Sequence, residues 1–210
     1  MPEPDPPPAT GPGRPRATTH RALRDAAMRE FAAHGYAATS VQRIAEVAGI
    51  GRNTFFRYFP SKVALLGDDY TANQEIVAQH LRDAPRGGDV LDQVVDAVRA
   101  SIRYDDADRE FYRLRLTVLA DDPTVPAEWA RPLVSGWAEL VAAHVLASAA
   151  DRGPHGRAVA EAVGYGVRGV LSSVMETWAD GELDLQAALD LLGATVREMF
   201  GASVRGLVEG

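Results

Sequence analysis

The chain of 210 residues contains no cysteine and only one lysine. Without cysteine there can be no disulfide framework and no thiolate metal site, which suits a reducing cytoplasm. No run of eighteen apolar residues occurs, so no membrane-spanning helix and no membrane partner are expected. The N-terminus lacks a basic patch followed by an apolar stretch, so no signal peptide is expected. The five histidines are scattered with no i,i+4 pair, and neither H-E-x-x-H nor a nucleophile elbow is present. No metal site, no cofactor and no catalytic residue is therefore expected, and the chain does not read as an enzyme. Period-two alternation is missing as well, which leaves an all-α fold.

What is present is unevenly spread. The net charge is −7, yet residues 10–62 carry nine Lys/Arg against three Asp/Glu. Residues 63–210 carry thirteen against twenty-four. A basic first quarter on an acidic body points to a head that meets a polyanion and a body held away from it.

Three regions follow. Residues 1–16 hold seven prolines and read as a disordered tail. Arg14 and Arg16 at its end either reach a minor groove as an arm or belong to a loosely attracted tail. Residues 17–62 read as a small helical head, and residues 63–210 as a helical body.

In the head, Thr18 or Thr19 is expected to cap a first helix that places Leu23, Ala27 and Phe31 on one face and stops at Gly35. Ser40, itself a candidate DNA contact, caps a second helix, with Val41, Ile44, Ala45 and Ala48 on one face, and Gly49 ends it. A third helix covers Arg52–Phe59 and stops at Pro60. Two helices of roughly nine residues joined by Gly49-Ile50-Gly51 have helix-turn-helix dimensions. On the third helix Phe55 and Phe59 share a face that can pack on Ile44, Phe31 and Leu23. Arg52, Asn53, Phe56 and Arg57 then look outward. Arginine can bond guanine bidentately and asparagine can bond adenine, so this face suits a major groove. Thr54 and Tyr58 can reach phosphate or base edges. Lys62, at the N-terminus of the fourth helix, is placed to meet a phosphate. Gln42 and Arg43 at the start of the second helix either contact base and backbone or face solvent.

The segment "TSVQRIAEVAGIGRNTFFRYFPSKVALL" resembles the DNA-binding region of TetR-family transcriptional regulators. The matching residues are Ser40, Ile44, Ala45, Ala48, Gly49, Thr54, Phe55, Phe56, Tyr58, Phe59 and Lys62, and the similarity spans about residues 18–66. It implies a dimeric DNA-binding regulator, most often a repressor, that binds a palindromic operator on double-stranded DNA and is released by a small-molecule effector. Three positions depart from the family pattern. Gly51 stands where a Ser or Thr cap is usual, Asn53 where a small residue is usual, and Phe56 where Tyr is usual.

The chain continues as helices expected over 62–82, capped by Ser61, and over 89–104, 108–120, 126–150, 156–179 and 184–201. Helix 156–179 carries small residues at Ala162, Gly166, Gly169 and Ser173 beside a valine stripe. With helix 184–201 from each chain it would make an intermolecular four-helix bundle, which the resemblance also implies. The stretch "GYGVRG" (164–169) fits G-x-G-x-x-G, but its glycines lie inside a helical pattern, so a dinucleotide site is not expected. Candidates for lining an effector pocket are Phe111, Tyr112, Trp129, Trp137, His144, Tyr165, Arg168 and Met175. Arg168 either meets an anionic ligand or pairs with an acidic residue. The acidic stretch "YDDADRE" (104–110) is expected to be a solvated connector.

Overall fold

In a computed structural model of the protein, residues 16–210 are described, apart from the side chains of residues 16–19, 68–69 and 127–135. The expected tail, with Arg14, and the side chains of Arg16 and Trp129 lie outside the described residues. Among the described residues there are nine α-helices, one 3-10 turn and no strand. The helices are α1 (Arg16–His34), α2 (Val41–Val47), α3 (Arg52–Tyr58), α4 (Ala64–Asp83), α5 (Val90–Ser101), α6 (Arg109–Asp121), α7 (Ala127–Ser148), α8 (Pro154–Ala179) and α9 (Leu185–Glu209). The 3-10 turn, Asp106–Asp108, lies between α5 and α6.

Local chemistry sets most of the boundaries. Gly35 and Gly49 close α1 and α2 with φ of 82° and 70°, a region that only glycine enters without strain. The Ser40 hydroxyl accepts the Arg43 N–H at 3.1 Å and starts α2. Asp89 takes the Leu91 and Asp92 N–H groups at the head of α5, and Asp184 takes that of Ala187 at the head of α9. Thr18 and Thr19 are not caps, because α1 is already helical from Arg16. Helix α5 stops short of the expected 104, since Ile102 turns to extended dihedrals. Helix α9 runs on to Glu209 because Val204 and Leu207 keep its apolar face buried.

Two apolar clusters organise the chain. In the head, Leu23, Phe31, Ile44, Phe55 and Phe59 are all essentially buried, as the four-residue spacing requires. Leu65 and Leu66 of α4 and Phe111 and Val118 of α6 complete this cluster, so the head rests on the start of the body. The second cluster fills the body between α4, α5, α7, α8 and α9. Helices α7 and α8 approach closely at Gly164, where any Cβ would overlap the Ala138 carbonyl. Of the expected small-residue stripe, Gly166 faces inward against Phe200 of α9, whereas Ala162, Gly169 and Ser173 remain exposed.

The acidic stretch 104–110 is a solvated connector only in part: Asp105, Asp106 and Glu110 are exposed, but the stretch also ties the head to the body. Asp108 is buried and forms ion pairs with Arg21 and Arg24 of α1. Asp105 pairs with Arg21 at 3.0 Å, and Asp106 accepts the Trp178 indole N–H from α8. The stretch looked solvated because its cationic partners lie more than eighty residues away in sequence.

Candidate nucleic-acid interface and body cavity

Helix α3 is anchored by Phe55 and Phe59, both fully buried, and Phe55 meets Phe59 at a ring separation of 5.9 Å. With that side fixed, Arg52, Asn53, Phe56 and Arg57 are exposed, and Thr54 and Tyr58 are half-buried at its edges. The helix contains no acidic residue. Each arginine lies near a ring, Arg52 5.6 Å from the centre of Phe56 and Arg57 5.5 Å from that of Tyr58. Such contacts restrict the guanidiniums, and both residues stay exposed. Gly51 starts the helix without a side-chain cap. Among the described residues, the first N–H groups of α3 thus keep no side-chain acceptor.

The expected α2 contacts are more engaged. The Ser40 hydroxyl oxygen accepts the helix cap bond, which does not use its O–H. Gln42 donates to Glu46 at 2.8 Å, and Arg43 Nε donates to Glu30 at 2.9 Å, which holds the Glu30 carboxyl below its ordinary pKa. Arg43 remains more than half exposed, so its outer N–H groups stay accessible. Val47, at the end of α2, is an exposed apolar residue that sequence reasoning did not single out.

Lys62 departs from its expected role. Its ammonium points back into the head, donating to the Tyr36 and Thr39 carbonyls at 2.7 and 3.1 Å and sitting 4.0 Å from the Tyr36 ring centre. Burial lowers its pKa from the ordinary value, and nearby Asp122 partly offsets that. The side chain thus ties the α1–α2 connection to the start of α4. Sequence spacing placed it near a phosphate because those carbonyls belong to a loop whose path was not legible.

In the body, a cavity of about 100 Å³ lies between α4, α6, α7 and α8. Of the pocket candidates, Tyr112, Trp137, Arg168 and Met175 line it. Phe111 instead belongs to the head cluster, with the Arg24 guanidinium 3.8 Å from its ring centre. His144 bonds Gln93 at 2.8 Å beside a separate cleft at the α4–α5 connection, and Tyr165 is 52% exposed on the outer side of α8. Sequence reasoning missed Tyr70 and Asn73 on α4 and Tyr104 and Arg115 around α6, all of which line the cavity. The one available signal was the three-residue spacing of Tyr70 and Asn73, which puts both on one face.

The cavity wall is rich in donors. Arg115 donates to the Tyr104 hydroxyl at 2.7 Å and stacks near Tyr112. Burial pushes the Tyr70 hydroxyl up to about 12, so it remains a neutral donor, with Arg168 near enough to oppose that shift. None of the lining residues is acidic. Tyr104 and Tyr112 both contact the Trp178 ring, which leads from the cavity to Asp106 and the 3-10 turn.

An all-α chain with a basic, acid-free helix presented by a helix-turn-helix, above a larger helical body with an internal cavity, is a helix-turn-helix transcriptional regulator. The chain belongs to the TetR family: the description "Bacterial regulatory proteins, tetR family" matches residues 23–68, and "MftR C-terminal domain" matches residues 88–201. It is 32% identical over 194 residues, covering 87% of this chain and 93% of the other, to the protein proposed as mycofactocin biosynthesis transcriptional regulator MftR from Mycobacterium tuberculosis (strain ATCC 25618 / H37Rv). Solved structures share the fold. The fatty acid degradation regulator FadR from Bacillus halodurans superposes with TM-score 0.61 at 19% identity, over 84% of this chain and 97% of that one. NalD, the secondary repressor of the MexAB-OprM multidrug efflux pump in Pseudomonas aeruginosa, does so with TM-score 0.52 at 19% identity, over 91% and 96%. The family is one of DNA-binding regulators that act as dimers. Among the described residues no helix is long and apolar enough to cross a membrane.

Proposed function

We propose that the chain is a cytoplasmic homodimeric repressor that reads a palindromic operator with α3 and leaves it when a small molecule enters the body cavity. Residues 17–62 are the DNA-binding unit, and residues 63–210 bind effector and partner chain. The observation that carries the DNA reading is the outward, acid-free face of α3 held by buried Phe55 and Phe59. Two such helices in one dimer sit in successive major grooves, about 34 Å apart. The partner chain docks on α8 and α9, where Ala162, Tyr165, Gly169, Leu191 and Met199 are exposed and largely apolar. Burying those side chains between copies stabilises a dimer.

Effector and operator communicate through α4. Its Leu65 and Leu66 pack in the head cluster, its Tyr70 and Asn73 line the cavity, and between them Gly67 leaves helical geometry (φ −140°, ψ 24°). An effector that prefers a different tilt of the α4 segment beyond Gly67 shifts the head away from its operator spacing. Coupling of about 1–3 kcal/mol is enough for regulation.

The 32% identity along most of the chain to the MftR-type relative, with the match of residues 88–201 to its C-terminal domain, supports control of mycofactocin biosynthesis genes. Gel shift and footprinting with DNA upstream of those genes in the source genome, and upstream of the chain's own gene, test the reading. Protection of two symmetric half-sites is the expected result. Binding with no sequence preference on either fragment overturns it.

A further inference from the structure

We infer that the body cavity is built for a small organic carboxylate with an aromatic or apolar body, and that Arg168 receives the carboxylate. This rests on the reading of the cavity as the effector site. Four observations carry it. First, two guanidiniums, Arg115 and Arg168, line the cavity and no carboxylate does. Arg115 is already committed to the Tyr104 hydroxyl and to the surrounding rings. Arg168, half-buried, makes no hydrogen bond or ion pair with another described residue.

Second, Trp137 lines the same cavity at 6% exposure, and its indole Nε1 is fully buried with no acceptor among the described residues. A buried indole N–H without an acceptor is costly, so the Trp137 ring gains by turning that N–H toward an oxygen-bearing ligand when one enters. Third, the remaining polar groups of the wall, the Tyr70 hydroxyl, the Asn73 amide and the Ser172 hydroxyl, can all donate. A wall with many donors, two cations and no anion selects a ligand with acceptor oxygens and a negative charge.

Fourth, the rest of the lining is Ile102, Tyr112, Trp137, Leu171 and Met175, which offers rings and apolar surface rather than water. A bare phosphate would leave that surface unmatched, whereas a carboxylate on a ring or short chain covers it. A volume of about 100 Å³ fits a group of that size.

The test uses the full chain and reads tryptophan fluorescence and melting temperature against benzoate, 3-phenylpropanoate and octanoate. Each is paired with its neutral amide, and inorganic phosphate serves as the charged probe without an apolar body. At least one carboxylate is expected to bind at least tenfold tighter than its amide and than phosphate. Arg168→Gln should weaken that carboxylate about ten- to a hundredfold, and Arg168→Lys, which keeps the charge, should lose less. Trp137→Phe gives a second readout, with weaker binding of the carboxylate. Circular dichroism and elution volume show whether each variant is folded. Equal affinity for acid and amide, tighter binding of phosphate, no binding by any carboxylate, or a folded Arg168→Gln with unchanged affinity each overturns the assignment. Operator binding by the unliganded wild-type chain is measured alongside, so failure of the ligand class is distinguished from failure of the regulator reading.

Discussion

Trp178 donates its indole N–H to Asp106 at 3.0 Å, and through that bond the long helix α8 holds the 3-10 turn that grips α1. One carboxylate along, Asp105 takes Arg21, and Asp108 takes Arg21 and Arg24. Arg109 completes the arrangement by donating to Asp106 and to the Trp178 carbonyl. Body and head therefore meet through a compact charged joint as well as through apolar packing. The Trp178 ring on the body side touches Tyr104 and Tyr112 of the cavity wall.

Asp108→Asn should weaken the fold. The variant keeps the shape but leaves Arg24, whose side chain is only 14% exposed, with Asp25 at 3.6 Å as its one remaining carboxylate among the described residues. Breaking a buried pair from one side costs about 3 kcal/mol. Urea unfolding followed by circular dichroism should show a loss of that order. A change below about 0.5 kcal/mol, the scale of a neutral surface substitution, would mean that the joint adds nothing to stability.

The same joint gives an acid sensitivity of definite sign. Asp105 is held below the ordinary 3.8 chiefly by the Arg21 hydrogen bond, and Asp106 chiefly by the Trp178 N–H and then by Arg109. A carboxylate with a depressed folded pKa stabilises the fold above its unfolded pKa and loses that contribution as pH falls through the folded value. Stability should therefore hold from neutrality down toward 3.8 and fall below it. The Asp105→Asn/Asp106→Asn variant should start less stable at neutral pH and lose less on acidification. Urea midpoints across that range check it, and parallel pH profiles for variant and wild type would contradict it.

Lys62→Met should act on the head rather than on DNA. The ammonium is already committed to the Tyr36 and Thr39 carbonyls, so its loss should cost about 2 kcal/mol of stability. The slope of log affinity against log salt should stay as in wild type. A slope shallower by about one would show a phosphate contact instead.

Much of the head was legible from spacing alone. Phe55 and Phe59 four residues apart, Gly35 and Gly49 as stops, and Ser40 as a cap are local features, and the observed helices follow them. What was not legible joins residues distant in sequence. Asp108 meets Arg24 across eighty-four positions, so its cluster looked like a solvated run. Tyr70 and Arg168 face one cavity only because α4 packs against the body as it does. Gly166 and Gly169 share a small-residue spacing, yet one faces Phe200 and the other lies open, a distinction set by how α9 crosses α8.

Tyr165→Asp combined with Met199→Asp should convert the dimer to a monomer. Both side chains are more than half exposed on the single chain, so neither substitution disturbs a core. Light scattering should report half the mass, and operator binding should fall steeply as the paired half-site contacts are lost. A variant that remained dimeric would put the interface on another face.

The most direct measurement is an operator scan with Arg52→Ala. Affinities of wild type and variant are compared on every single-base change of the footprinted site. The variant is expected to lose discrimination of about 1–3 kcal/mol at one position in each half-site and to keep it elsewhere. Uniform weakening on all sequences, with the base preference unchanged, would contradict it.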